Sequence, residues 1–379
     1  MSWSVPLSQL ELAEEDVEAV LAVLRSGWLT MGPNTERFEN ALAEYLDVAH
    51  AIAVSSGSAA LQLACLAAGL GPGDEAIVPS MTFVSTASAV LHAGATPVFC
   101  DVVGVHEPLL DVDGIERLLT SRTKAVVAVH LGGYAADLTS LRRLCDTNGL
   151  VLIEDVGQAI GARTNVPGRL AGTVGALGCF SFFSKTQLPT GEGGLVVTSD
   201  SALAARVRSL RSHGLTTSSW DRHRGHSDSY DVVDFGFNFR LDEARAALGL
   251  SRLERLARDI DGRRRVVRRY RELLAGTSGL ELPWSDDDVE SSSHFAFFVL
   301  LESGEARDRF RARLAARDVQ TTWYPAVHEF TAFRSLAPPD GLPLTEAFAA
   351  RHCALPLGPR LADDALQVVV EAVREALAG

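Results

Sequence analysis

Between Ala51 and Val197, short runs that are apolar at nearly every position alternate with stretches whose apolar residues recur at helical spacing. The runs are AIAV (51–54), EAIVP (75–79), TPVFC (96–100), KAVVAVH (124–130), LVLIED (150–155), GCFSFF (178–183) and GGLVVTSD (193–200). A strand with one wet face alternates apolar with polar, whereas a strand apolar at successive positions is covered on both faces. The pattern therefore predicts an α/β fold, with a parallel or mixed sheet between two layers of helices. Helices are expected over about 58–69, 84–93, 112–120 and 137–148, and another in SDSALAARVRSLRSHG, stopped by Gly214.

Outside that block, a first helix ends near Ser26–Gly27, and Ser8 with Glu11 has the spacing of a capping box at its start. LDEARAALGLSRLERLARDIDGRRRVVRRYRELLAG reads as one long amphipathic helix with arginines on its polar face. After the polar link TSGLELPWSDDDVESSS, the segments HFAFFVLL, RDRFRARLAARDV, TTWYPAVH and DALQVVVEAVREAL suggest a compact α+β unit. The expected division is a large domain over 1–250, then the connecting helix and a small C-terminal domain over 251–379. No internal repeat or low-complexity tract interrupts it.

The chain's 379 residues, 47% hydrophobic and 22% charged, have the balance of a soluble globular protein with room for two domains. A net charge of −13 argues against nucleic acid or anionic membrane as partner, while leaving room for a small anion held by a few amides. The arginine-rich RDIDGRRRVVRRYR is accordingly read as a solvated helix face. Five scattered cysteines without a C-x-x-C pair signal neither a disulfide framework nor zinc. With no signal-peptide pattern and no membrane-spanning run, the expected location is the cytoplasm.

Three stretches bear chemistry. SSGSAAL (55–61) follows a strand and opens a helix, where small residues let backbone N–H groups and the helix dipole face a phosphate; a plain helix cap reads equally well. In LIEDVGQAIGA, Asp155 and Gln158 follow an apolar strand, where ligands bind in open α/β sheets, and Glu154 alternates to the other face. A buried acid there needs a cation, and a protonated ring nitrogen would supply it. CFSFFSKTQLPTGEGG places Ser181, Lys185 and a glycine-rich turn after the next strand, and a lysine in a pocket can condense with an aldehyde. Phosphate cradle, acid and amine together are the demands of pyridoxal 5'-phosphate.

From SGWLTMGP (26–33) through SSGSAAL, VPSMTFVSTASAVLHAGATPVFCDV (78–102), VVAVHLGGYAADL (126–138), IEDVGQAIGA, GEGG, LRSHG (210–214), GFNFRLDEARAALGL (236–250), WYPAVHE (323–329) and LPLGP (355–359), the chain resembles the DegT/DnrJ/EryC1/StrS group. These are fold-type I, pyridoxal-phosphate-dependent aminotransferases that mostly aminate nucleotide-linked keto-sugars. The resemblance implies that Ser58, Ala59 and Ser181 contact the phosphate, that Phe83 stacks on the ring, that Asp155 pairs with the ring nitrogen and that Gln158 lies near the phenolic oxygen. It further implies that Asn238 reaches a neighbouring subunit's cofactor in a homodimer with shared sites, and that Trp28, Tyr324, His328 and Arg240 line the opening for the sugar nucleotide. An amino acid would donate the nitrogen, and Lys185 would be the catalytic amine.

Threaded without a gap onto the group's usual spacing, FFSKTQLPTGEGG sets Thr186 in the lysine's place, although Lys185 stands seven residues before Glu192, as the lysine does in some relatives. In an extended segment the slip turns Lys185 away from the pocket; in a loop, a long lysine stem absorbs a shift of ~3.8 Å. Few lysines exist, and Lys124 lies on a different strand. Three readings stay open: a transaminase using Lys185, a lysine-free enzyme that holds pyridoxamine 5'-phosphate and runs a dehydration-like step, and an inactive paralogue that stabilises an active partner. Among the histidines, His130 reads as satisfied at a strand end and His213 as a helix cap; His223 and His226 lack a third ligand, so no metal is expected.

Overall fold

The computed structural model describes residues 3–217, 225 and 229–378. Its main sheet has seven strands: β1 (His50–Val54), β2 (Glu75–Pro79), β3 (Thr96–Cys100), β4 (Thr123–Val129), β5 (Val151–Asp155), β6 (Leu177–Ser181) and β7 (Gly194–Thr198), in the order β1-β7-β6-β5-β4-β2-β3. β7 runs antiparallel to both β1 and β6, and the other neighbours are parallel, so all strands but β7 point the same way. The carboxyl ends of β1, β2, β5 and β6 therefore share one edge. The sheet is mixed, as the apolar runs predict.

Both faces are covered. Ile52 and Val54 enter the core beneath α3 (Gly57–Ala67), α4 (Ser85–His92) and α7 (Ser201–Arg211), while Ala51 and Ala53 enter the core beneath α2 (Pro33–Leu46) on the opposite face. That two-sided burial is what requires apolar residues at consecutive strand positions. α5 (Val112–Leu118) and α6 (Leu138–Asn148) extend the second layer over β4 and β5. Each of these elements except α2, which no predicted span covers, lies within a few residues of its sequence-predicted span.

Two helical expectations need correction. The first helix, α1 (Glu14–Ser26), begins six residues after Ser8: Asp16 closes its end by accepting the Ala13 N–H at 3.0 Å, and Ser8 and Glu11 lie in the preceding non-helical chain. The long arginine-rich helix is two, α8 (Glu243–Leu253) and α9 (Leu256–Leu274), separated at Arg255, whose φ of −111° and ψ of 3° are not helical. Arg252, before the break, and Arg255, at it, both pair with the fully buried Asp16. Burying that carboxylate demands a cationic partner, and the two arginines at the helix junction supply it.

Beyond α9, β8 (Phe297–Leu300) pairs antiparallel with β9 (His352–Leu355). This ribbon packs with α9 and the closing helix α10 (Asp363–Ala378) around Val299, Phe310 and Val373; between the strands run helices Gly304–Ala316 and Pro343–Arg351. The α+β character predicted for the C-terminal part is present.

Candidate active site

The carboxyl edge of the sheet gathers the chemistry. β5 ends on Asp155, only 8% exposed, whose Oδ2 accepts from Thr86 Oγ1 at 2.6 Å and whose Oδ1 accepts from the Gly157 N–H at 3.0 Å. Thr86 in turn takes the Thr82 hydroxyl at 2.7 Å. Burial pushes the Asp155 carboxyl up from its ordinary value, and no cationic side chain among the described residues lies within ion-pair distance. Glu154 points to the opposite face. Burial pushes it up too, but the His130 ring and backbone N–H groups outweigh burial and hold it below the usual range. It accepts from His130 Nε2 at 3.0 Å and from the amides of Gly172, Val174 and Gly175 at 2.7, 2.8 and 2.6 Å. Adjacent acids thus differ: Glu154 is satisfied by the protein, and Asp155 lacks a cation. His130, its Nδ1 accepting the Ala136 amide at 3.1 Å, is a buried strut.

Next to Asp155 stands a tight cradle. Ser56 caps α3, its Oγ accepting the Ala59 N–H at 3.1 Å, and Ser58 is exposed in the first turn. A Cβ on Gly57 would stand 2.8 Å from the Ser181 Cβ; one on Gly157 would stand 3.7 Å from that same atom and 3.2 Å from Asp155 Oδ1. Ser181 is thereby wedged between the turn that opens α3 and the turn that follows Asp155. The first N–H groups of a helix lack intrahelical acceptors, which suits this end for a phosphate. Since the Ala59 amide is already donated to Ser56, Ser58 and Ser181 are the better placed of the three expected phosphate ligands.

GFNFRL runs beside this cradle: the Ser55 N–H donates to the Phe239 carbonyl at 2.8 Å, and Arg240 bridges Val54. Asn238 is exposed. Phe83, just ahead of α4, is 64% exposed, which leaves its ring uncovered for stacking. Gln158 receives the Gly132 N–H on Oε1 at 2.7 Å, an anchor that orients its amide nitrogen away from that loop.

Lys185 sits in a turn, not on a strand. β6 ends at Ser181, and the Thr186 N–H and Oγ1 both donate to the Phe183 carbonyl, at 2.9 and 2.8 Å. Ser184 and Lys185 are the central residues of this turn, and Thr186 is buried by folding its hydroxyl back on it. Neighbouring side chains therefore do not alternate across a pleat. Lys185 is exposed; it lines a cleft of about 290 Å³ and a narrow pocket whose walls include Ser8, Phe295 and Tyr324. The chain has only two lysines, and Lys124 is at the opposite, amino end of β4, paired with Asp74 at 2.9 Å.

Tyr324 stacks near His352, and burial pushes its phenol up to about 12. His328 is buried, its Nδ1 2.7 Å from Ser80 Oγ and its Nε2 3.3 Å from Glu346, so its ring braces the end of β2. Trp28 is half-buried with its indole against Gly32. His213 adopts a φ of 62° just past α7, whereas His223 and His226 lie outside the described residues.

Three functional features escape the motifs. The Thr82–Thr86 relay to Asp155 lies within TFVST, with Thr82 in the turn ahead of α4 and Thr86 in its first turn, and the two threonines four residues apart were the available signal. Gly57 was hidden behind the serines around it. Glu243 collects the amides of Gly32, Asn34 and Thr35 at 2.9, 2.8 and 2.8 Å and so fixes the loop carrying Trp28; an acid in the first turn of α8 reads from sequence only as a dipole partner.

Ser181 and Ser58 at a helix N-terminus, with a buried acid lacking a cation beside them, fit a phosphorylated, protonatable pyridine. Comparison with known proteins agrees. The sequence profile of the DegT/DnrJ/EryC1/StrS aminotransferase family matches residues 10–374. The dTDP-3-amino-3,4,6-trideoxy-alpha-D-glucose transaminase of Streptomyces venezuelae is 40% identical over 382 residues, 98% of this chain and 96% of that protein. The spore coat polysaccharide biosynthesis protein SpsC of Bacillus subtilis (strain 168) is 34% identical over 388 residues, 100% of this chain and 97% of that protein. The crystal structure of the aminotransferase TlmJ from Streptoalloteichus hindustanus superposes with a TM-score of 0.90 at 34% identity, covering 99% of both chains.

Proposed function

Because the chain belongs to the DegT/DnrJ/EryC1/StrS aminotransferase family, whose members depend on pyridoxal 5'-phosphate, we propose that it transfers an amino group from an amino acid to a nucleotide-linked keto-deoxysugar. The observation that carries the reading is Asp155: a buried carboxylate whose protein contacts are both neutral hydrogen bonds, beside the Gly57–Ser181 cradle. Bound here, pyridoxal phosphate would supply an electron sink for the carbon that loses its proton. Ser58 and Ser181 would hold the phosphate end. Phe83 would cover one face of the ring, Gln158 would donate its amide to the phenolic oxygen, and Asp155 would keep a proton on the ring nitrogen. Thr86, backed by Thr82, fixes the direction in which the Asp155 carboxylate points.

Lys185 would be the amine that holds the aldehyde, and its free form would hold and move the proton of the reacting carbon. It is favoured because Lys124, the only other lysine, is held by Asp74 at the far end of its strand. Trp28, Tyr324 and Arg240 border the opening for the sugar nucleotide. Asn238, exposed next to the 95%-exposed Phe235 and the exposed Val233, suits a second copy of the chain completing the site in a homodimer. A cytoplasmic setting suits five cysteines that are all buried and unpaired.

The test is steady-state kinetics with glutamate and a dTDP-linked keto-deoxysugar. Parallel lines in double-reciprocal plots are expected, because each half-reaction returns the enzyme in a modified form. Absence of amino transfer to any nucleotide-linked keto-sugar overturns the reading.

A further inference from the structure

The cleft at Lys185 is built for an anion, and its charges do not balance without one. Arg255, Asp259 and Arg263 lie four residues apart on one face of the helical run and form its floor, and Ser8 and the Pro359–Arg360 turn form its walls. Asp16 takes Arg252 and Arg255, Asp259 approaches Arg255 at 4.0 Å, and Glu11 holds Arg360 at 3.0 Å. Those three acids offset those three arginines. Arg263 and Lys185 are left: neither has a carboxylate within ion-pair distance among the described residues. Arg263 is only 7% exposed; its Nη1 donates to the His294 carbonyl at 3.2 Å, and its Nε has no partner. Burial draws the guanidinium down to about 10, as expected for a desolvated cation.

From this geometry we infer that the Arg263–Lys185 cleft binds a carboxylate of a small dicarboxylic acid, of the size of the amino donor or its 2-oxo-acid product. The cleft is about 290 Å³, at the lower end of ligand pockets, which run from ~300 Å³ upward, and too small for a sugar nucleotide. A planar guanidinium matches a carboxylate through two parallel N–H donors, and in the cofactor-free protein the Lys185 ammonium at the mouth adds a second charge. The assignment rests on the proposed transamination for its biological ligand, but not for its binding chemistry.

The test uses the full-length protein stripped of cofactor, so that binding is read without turnover. Isothermal titration with glutarate, which carries no amino or keto group, is expected to show one saturable site per chain. Arg263→Gln should weaken it about 10-fold or more, the range for losing a charged hydrogen bond. Lys185→Gln, at an exposed turn where folding is not at stake, should weaken it by a smaller factor, and circular dichroism checks the fold of both variants. Glutarate binding that is absent, or unchanged in Lys185→Gln and in folded Arg263→Gln, overturns the inference. Inorganic phosphate or dTDP displacing glutarate with equal affinity overturns the carboxylate assignment. Neither result touches the transaminase reading, and loss of that reading through a cofactor-free Lys185 leaves glutarate binding intact.

Discussion

Replacing Asp155 by Asn separates a site awaiting a cation from a merely structural acid. The amide is nearly isosteric and keeps both contacts: Oδ1 still accepts the Gly157 N–H at 3.0 Å, and the amide nitrogen can donate to Thr86 Oγ1, now 2.6 Å from Oδ2, if the Thr82–Thr86 relay reverses. In the apoprotein the substitution removes a carboxylate that burial disfavours. A raised acid pKa means the folded state binds the proton more tightly than the unfolded one, so ionised Asp155 lowers stability at neutral pH. The apoprotein midpoint in urea should therefore rise or hold. In the loaded protein, a charge-assisted bond to the ring becomes a neutral one, a loss of about 2 kcal/mol, or roughly 30-fold in affinity for pyridoxal phosphate. Fluorescence titration of the cofactor and urea melts of both forms read the two effects. An apoprotein clearly destabilised by Asp155→Asn, with cofactor affinity unchanged, refutes the assignment.

Other consequences are equally concrete. Gly57→Ala puts a Cβ 2.8 Å from Ser181 Cβ and should cost about 1–3 kcal/mol along with cofactor affinity; Ser181→Gly in the same chain should return part of the stability, measured by urea unfolding. Glu243→Gln, at the carboxylate that takes the Gly32, Asn34 and Thr35 amides, should lower stability by about 2–3 kcal/mol and raise KM for the sugar by loosening the Trp28 loop. His294 and His352 are fully buried, with burial drawing them from 6.5 down to about 3 and about 4. The unfolded chain takes up these protons first, so the stability they protect is complete above pH 6.5 and is lost as pH falls toward 4. The expected loss is about 2 kcal/mol apiece at pH 5, and flat stability from pH 8 to 5 contradicts it.

The sheet was legible because burial on both faces imposes consecutive apolar residues, and the runs around Ile52, Val126 and Ile153 have no other use. The burial of Asp155 was legible for a related reason: an acid closing such a run ends at the covered edge of the sheet. What the pattern could not convey depends on distant partners. Arg255, at the break, pairs with Asp16, 239 residues away in the chain, and periodicity along the helix is blind to such a partner. Glu243 answers to the loop at 32–35 in the same way. The Lys185 turn hinges on the Thr186 hydroxyl folding back on Phe183, a local choice that FFSKTQ leaves open between strand and loop.

Whether the amine of Lys185 holds the cofactor is decided by loading the protein with pyridoxal phosphate, reducing with borohydride and mapping the adduct by peptide mass spectrometry. One phosphopyridoxyl group per chain is expected on Lys185 and none on Lys124. Cofactor that dialyses away intact after reduction, or an adduct on Lys124, contradicts it.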